Sequence, residues 1–325
     1  MSTGTIHPSS QTSKRAYARF FYSLNDNKNM NITIIDGNSL GYTAHYGTVL
    51  THDGMQTQAV YGFVRMLIEQ RHNYPDAMPL VVWDGRAQWR FELCETYKSN
   101  RHSDDPKREA IREAYKKQTP FIFDICKAMG VRQIRCRTHE ADDLAGWFVA
   151  HKKPQDKITL LTKDRDWLQL VRPNVIWQDF ATKTSIGMWN FFEQTGFKTP
   201  EAFLDGKCLK GDSSDAISGV GGIGEKGAPE FIAQFGSVKN FFEGVDAGVI
   251  KPSKKVYQRL SSPDGRRLYE RNYAVMQLLN VAPFKREDMV MTDRTCKNRN
   301  DFINLCGELG FASFMQDPDG ILNLF

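Results

Sequence analysis

The stretches NITIIDG (31–37) and PLVVWDG (79–85) repeat one design: a short apolar run that ends in Asp–Gly. Such runs, bounded by turn residues, suit strands buried on both faces. VRQIRCR (131–137) reads as another strand, and KITLLTKDRD (157–166) as one that runs into Asp164 and Asp166. NVIWQDF (174–180) reads as a further strand or an edge hairpin. Between them, apolar spacing predicts a helix over about 56–72, and PFIFDICKAMG (120–130) predicts one stopped by Gly130. EADDLAG (140–146) opens a third. Strands alternating with helices imply an α/β fold, a mostly parallel sheet with helices on both faces. In such sheets ligands sit beyond the carboxyl ends of the strands. Asp36, Asp84 and Asp164 all fall there, and Glu140 opens the helix after a strand, on the same edge. One such acid is ordinarily a turn former or N-cap. Four in succession argue for a shared site.

The chain of 325 residues, 41% hydrophobic and 12% aromatic, has material for one large α/β unit, or for one such unit with a smaller appendage. The pattern divides it into a polar extension (1–30), an α/β core (31–184) with a basic insert at 86–117, and a mainly helical part (185–325) with a glycine-rich hairpin at 219–228. The extension lacks a signal-peptide core; its Ser, Lys and Arg suit a transit peptide poorly, given Asp26, and a short helix or flexible lead-in is preferred. Residues 268–281 have helix spacing, whereas 251–267 read as an exposed loop or hairpin. Trp147, Phe148, Phe191, Phe192, Phe231 and Phe235 are assigned to the core. No run of 18 apolar residues suggests a membrane span. Six cysteines without a CxxC pair point to a reducing, intracellular setting. The net charge of +5 permits a nucleic-acid partner without requiring one.

Acids gather beyond the strand ends. On a helix from 140, Ala141, Leu144, Ala145, Phe148 and Val149 form an apolar stripe, with Glu140 and Asp143 together outside it and Asp142 on the other flank. LKGDSSDAI (209–217) adds Asp212 and Asp215. The candidate cluster is therefore Asp36, Asp84, Glu140, Asp142, Asp143, Asp164, Asp166, Asp212 and Asp215. Converging carboxylates raise one another's pKa values and weaken a fold unless cations intervene. An all-oxygen ligand set suits Mg²⁺, with Mn²⁺ as a substitute, and acids from several elements suggest two ions. No His/Cys spacing supports zinc. Two hard cations about 4 Å apart suit phosphodiester hydrolysis.

IIDGNSL, VVWDG, YKSNR, EADDLAG, LLTKDRDWLQL and LKGDSSDAISGVGGIGEKGA, in that order over about 32–235, resemble the 5′-nuclease family of structure-specific 5′→3′ exonucleases and flap endonucleases, phage and bacterial type. The resemblance implies a PIN-like core, a helical arch and a helix–hairpin–helix-like motif. It assigns Asp36, Asp84, Glu140 and Asp142 near one metal, and Asp143, Asp164, Asp166, Asp212 and Asp215 near the other. Lys98 and Arg101, three apart and read as sharing a helix side, align with residues that contact the scissile phosphate; with Asp166 they form the catalytic set. Tyr97 aligns with a position that could stack on a terminal base, and Lys116 and Lys117 extend the basic arch. Pro106 and the SDD before it suggest a bend or disorder.

The resemblance further implies that in the hairpin Gly221, Gly222, Gly224 and Lys226 bind the duplex backbone, and the carbonyls of Val220 and Ile223 a K⁺. Gly221 stands where the family often has Pro, and Gly227 where it often has a small hydroxyl residue. Lys251, Lys254, Lys255, Arg259, Arg266 and Arg267 either extend the duplex track or serve solubility.

The expected activity is Mg²⁺-dependent cleavage near DNA 5′ ends, flaps, nicks or gaps, with an RNA–DNA hybrid, as in primers, also compatible. A monomer is expected, acting alone or beside replication proteins, because no polymerase domain follows in this sequence; phage or bacterial cytoplasm is the favoured setting. Two other readings stand beside it. One is a non-catalytic branched-DNA-binding module, which a neutral residue at Asp84, Glu140, Asp142 or Asp166 would favour. The other is a compact single-strand RNA nuclease, which the hairpin and the basic insert disfavour.

Overall fold

The computed structural model describes residues 29–101 and 105–325. All but the last two residues of the polar extension lie outside them, as do Ser103 and Asp104 of the expected bend. A seven-stranded sheet forms the centre, with β1 (Asn31–Asp36), β2 (Met78–Trp83), β3 (Arg132–Cys136), β4 (Lys157–Leu161), β5 (Val175–Gln178), β6 (Ser185–Ile186) and β7 (Met289–Thr292) in the order β7-β3-β2-β1-β4-β5-β6. The inner pairings are parallel. The outermost, β3 with β7 and β5 with β6, are antiparallel. NVIWQDF is thus both an interior strand and the first arm of an edge hairpin.

Period-two alternation explains the layers. Ile32, Ile34, Leu80, Val82, Ile158 and Leu160 point into one apolar cluster, and Ile35, Val81, Trp83 and Leu161 into the other. The second cluster is covered by α1 (Gly37–His45), α2 (Gln58–Asn73) and the inner half of a long helix that follows the short α3 (Gln88–Leu93), namely α4 (Pro106–Ala128). Asp105 caps α4 by accepting from the Lys107 N–H at 2.9 Å, and Pro106 occupies its first turn. The first cluster is covered by α5 (Ala141–His151) and by the helical part, which comprises α6 (Pro200–Lys210), α7 (Gly227–Phe235), α8 (Val238–Asp246), α9 (Lys255–Ser261), α10 (Pro263–Met276) and, returning to the opposite face, α11 (Arg299–Glu308).

Three expectations are corrected. Residues 251–267 are not an exposed loop: they hold α9 and the start of α10. SSPDG looks like a turn, but the Ser262 hydroxyl accepts from the Gly265 N–H at 3.2 Å and Pro263 sits in the first turn, so the same residues start a helix. The part from 185 onward does not stand apart from the core. β7 extends the sheet at β3, and Phe302, Cys306 and Leu309 join the cluster of α2 and α4. Phe192 is 59% exposed rather than in the core. Cys94, Cys126, Cys136, Cys208, Cys296 and Cys306 are free thiols. Among the described residues no helix is long and apolar enough to cross a membrane.

Phe302 is fully buried between elements that are distant in sequence. Phe302→Ala should lower stability by about 3–5 kcal/mol, read as a lower urea midpoint with an unchanged transition slope.

Candidate active site

The strand order places β1 at the centre, with β2 and β3 to one side and β4 and β5 to the other. A crevice opens where the winding direction switches, at the carboxyl ends of these strands. Asp36 ends β1 and caps α1, its oxygens accepting from the Ser39 N–H at 2.9 Å and the Thr162 hydroxyl at 2.8 Å. Asp84 follows β2 and accepts from Asn38 Nδ2 at 2.6 Å and the Ala141 N–H at 2.9 Å. Asp142 accepts from Trp167 Nε1 at 2.7 Å. Asp164, after β4, caps the short 3₁₀ turn Arg165–Leu170 through the Asp166 N–H at 2.8 Å.

These acids are satisfied by neutral donors, and their charge is not balanced. Burial, and then Asp84, push the Asp36 carboxyl up to about 6. Burial raises Asp84, with Glu140 adding to it, and burial together with Asp164 and Asp84 raises Asp142 well above the carboxylate range. Asp164 reaches solvent on one side, yet desolvation against the sheet edge and the neighbouring Asp166 push it up to about 7.

The other acids are held by cations. Glu140 accepts from Lys98 Nζ at 2.5 Å, Arg90 Nη1 at 3.1 Å and the Tyr97 hydroxyl at 2.7 Å. Burial alone would raise Glu140, but Lys98 and Arg90 outweigh it and hold it below its usual range. Lys207, only 7% exposed, bridges Asp166 and Asp212. Against the opposing effect of burial, Lys207 and Ser214 bring Asp212 down to about 2. Arg101 Nη2 donates to Asp215 Oδ1 at 2.7 Å.

The segment carrying Lys98 and Arg101 is docked on the loop that carries Asp212 and Asp215. The Lys98 N–H donates to Asp215 O at 2.8 Å, Asn100 Nδ2 to Ser213 O at 2.7 Å, and the Thr96 hydroxyl to Ala216 O at 2.8 Å. Lys98 is not on a helix side with Arg101, as the sequence suggested. It has φ 55°, and only Ser99–Arg101 form a single 3₁₀ turn, so the two side chains reach different acids.

Asp143 departs from the expected cluster. It is fully buried, with Oδ2 accepting from the Glu140 N–H at 2.9 Å and Arg90 Nη1 at 2.8 Å, and Oδ1 from Arg90 Nη2 at 2.5 Å. With no exposed surface and its charge met by Arg90, Asp143 serves here to cap α5 and to hold Arg90 behind Glu140. Tyr97 also departs: it is 4% exposed and spends its hydroxyl on Glu140, so its ring is not available to stack on a base. Sequence reading missed Lys207 and the buried position of Arg90. Nothing local marks either one, because a helical lysine and an arginine in a basic run ordinarily face solvent.

Lys116 and Lys117 are exposed on α4. Gly221 and Gly222 have φ 66° and 84°, and a Cβ on Gly221 would lie 2.7 Å from Val256 O in α9. The turn therefore needs glycine both for its conformation and for its packing. Gly224 is open to any approaching group, and Lys226 is exposed at the start of α7. Val220 and Ile223 bury their side chains, and Val220 O accepts the Ile223 N–H at 3.1 Å.

Among the described residues, no three His, Cys, Asp or Glu side chains already enclose one metal position. The ammonium and guanidinium groups hold several acids turned toward themselves. The donor set nonetheless fits hard divalent cations: it is all oxygen, and Asp36, Asp84, Asp142 and Asp164 carry the charge deficit that such ions relieve.

Residues 31–196 match the family model described as 5′-3′ exonuclease, N-terminal resolvase-like domain. The chain belongs to the 5′-3′ exonuclease family. Residues 198–293 match that family's C-terminal SAM fold, so the exonuclease signature runs through both the sheet and the helical part. The chain is 30% identical to DNA polymerase I of Bacillus caldotenax over 294 residues, covering 88% of this chain but 32% of that protein. It is 29% identical to a 5′-3′ exonuclease of Mycoplasmopsis pulmonis over 222 residues, 68% of this chain and 72% of that one. The T5 5′-exonuclease bound to zinc shares the fold, with a TM-score of 0.66 and 24% identity over 77% of this chain and 90% of that one. So does flap endonuclease-1 of Methanococcus jannaschii, with a TM-score of 0.58 and 18% identity over 91% and 93%.

Asp36→Asn keeps the shape of the Asp36 side chain and removes its charge. A carboxyl with a raised folded-state pKa stabilises fully below its unfolded value of 3.8, and that contribution is lost as pH rises through about 6. In metal-free exonuclease the substitution should leave stability unchanged near pH 3.5 and raise it by roughly 2–3 kcal/mol at pH 8. Thermal melts across that range in a chelating buffer check it; a gain that is largest in acid would contradict the assignment.

Proposed function

We propose that this chain hydrolyses phosphodiester bonds near free 5′ ends and at the base of 5′ flaps in DNA, leaving 5′-phosphate and 3′-hydroxyl ends. Asp36, Asp84, Glu140, Asp142, Asp164, Asp166, Asp212 and Asp215 would hold two Mg²⁺ ions, with Mn²⁺ able to substitute. The observation that carries this reading is the charge-deficient carboxylate edge directly beside Lys98 and Arg101. Bound there, divalent cations would supply Lewis acidity and neutralise charge at the scissile phosphate.

The chain's own residues have separate tasks in this scheme. Lys98 already rests on Glu140 and is largely withdrawn from water, so a phosphate oxygen can take the place of that acid without desolvating it anew; the more exposed Arg101 can exchange Asp215 for a phosphate oxygen. Arg90 and Asp143 act behind Glu140 and fix its position; breaking a buried pair of this kind typically costs about 3–5 kcal/mol. Lys116, Lys117, Lys226 and the turn at Gly221, Gly222 and Gly224 would track the duplex backbone, with a K⁺ on the carbonyls of Val220 and Ile223. Such contacts bind without reading sequence, and an RNA–DNA hybrid is therefore a compatible substrate. Two structures of the same fold support the reading: the T5 5′-exonuclease with zinc bound, and the T5 D15 flap endonuclease in complex with DNA and metal ions.

With an end-labelled flap and Mg²⁺, Asp166→Ala should abolish cleavage while DNA affinity in chelator stays within about threefold of the parent. Cleavage at the parental rate, or undiminished cleavage in chelator, would overturn the proposal. Lys98→Ala should slow single-turnover cleavage by about 10²–10³-fold and change duplex affinity far less. Equal losses in rate and affinity would make Lys98 a positioning contact instead.

A further inference from the structure

At the opposite end of the sheet, where β2 and β3 begin, a cavity of about 230 Å³ is lined by Arg71, Arg132 and Arg294 together with Pro79, Gly130 and Phe325. It is separated from the carboxylate edge by the length of β2, roughly 20 Å. Arg71 is anchored by backbone carbonyls, with Nε donating to Leu324 O at 2.6 Å and Nη1 to Ala77 O at 2.5 Å and Tyr74 O at 3.2 Å. That fixes its guanidinium plane. Arg132 Nε is buried and has no hydrogen-bond partner among the described residues. The acids nearby answer this charge only in part. Asp76 lies at the rim, and the Asp293 carboxylate accepts from the Thr295 N–H at 2.8 Å and hydroxyl at 2.5 Å.

The positive charge is felt around the cavity. Burial, and after it Arg294, push Arg71 and Lys297 below their usual values. Burial also lowers Arg132, where Arg294 acts in the same direction and Asp293 against it. A buried guanidinium N–H without an acceptor is costly; Arg132 Nε itself is shut off from solvent, so an anion in the cavity would meet the other guanidinium N–H groups that line it. Planar guanidinium forks match the oxygens of a phosphate.

We propose that Arg71, Arg132 and Arg294 form a second, anion-binding site that takes a phosphate group, either free or at the end of a nucleotide. The site is independent of the cleavage reaction and does not rest on the proposed function. Lys297, whose ammonium donates to Leu322 O at 2.8 Å, adds charge at the edge without closing the cavity.

The test is calorimetric titration of the full chain with inorganic phosphate, in chelator and at constant ionic strength set with chloride. Parallel titrations use a 5′-mononucleotide and a short 5′-phosphorylated single strand. Arg294 is exposed, so Arg294→Ala should fold normally and cleave DNA at the parental rate. Saturable phosphate binding is expected in the parent and in Lys98→Ala alike, weakened by about tenfold or more in Arg294→Ala and in Arg132→Gln. Equal affinity for phosphate and mononucleotide would assign the site to the phosphate group alone. Tighter binding of the mononucleotide or of the strand would name that source, provided the same two arginine variants weaken it. Absence of saturable binding by all three probes, or parental affinity in both arginine variants, would overturn the proposal. So would loss of binding in Lys98→Ala, which would place the anion at the other edge.

Discussion

Like charges gathered at one edge of a sheet are the constraint to which the rest of the molecule answers. The chain meets it in two ways. Asp36, Asp84, Asp142 and Asp164 sit at or beside the strand ends and are held by neutral donors, among them Thr162, Asn38 and Trp167. Glu140, Asp166, Asp212 and Asp215 are held by Lys98, Lys207 and Arg101. The first set lies on the rigid sheet edge and keeps a charge deficit. The second is neutralised by basic side chains. This division cuts across the grouping by metal that family resemblance implies.

A rigid frame makes this tolerable. Each strand that delivers an acid is buried on both faces, and Asp36 and Asp164 also cap helical turns, so the carboxylates are tied to the backbone at their own positions. The basic segment has no comparable frame of its own. It borrows one from the loop at 213–216 through the hydrogen bonds of Thr96, Lys98 and Asn100, which places its cations over the acids by construction. Buried Arg90 reinforces the same region from beneath, joining α3, the start of α5 and the Val275 carbonyl of α10.

Much of this was legible in the residues because period-two apolar runs and Asp–Gly ends carry both the topology and the location of the crevice. The misreadings share a cause. Asp143 and Glu140 look alike on a helical wheel, but the cap turns Asp143 inward to Arg90, a partner distant in sequence. Tyr97 reads as a surface aromatic in a charged run and is buried by the same contact network. Lys207 carries no local mark at all, since what gives it meaning is the arrival of Asp166 from another element. The edge strand β7 is short and only half-buried, too weak a pattern to separate from loop. Spacing encodes what a segment does with itself; what it does with remote segments is decided by packing.

The return of the chain to its starting core has a consequence for how the molecule is made. Strand β3 stays an open edge until β7 pairs with it, and the apolar cluster under α2 and α4 lacks Phe302, Cys306 and Leu309 until α11 arrives. A nascent polypeptide emerging from the ribosome therefore carries an unpaired β-edge and an uncovered greasy face until those residues are made. Closure waits for residues 289–309, made long after β3, and the species exposed to aggregation or chaperone capture is the chain that still lacks them.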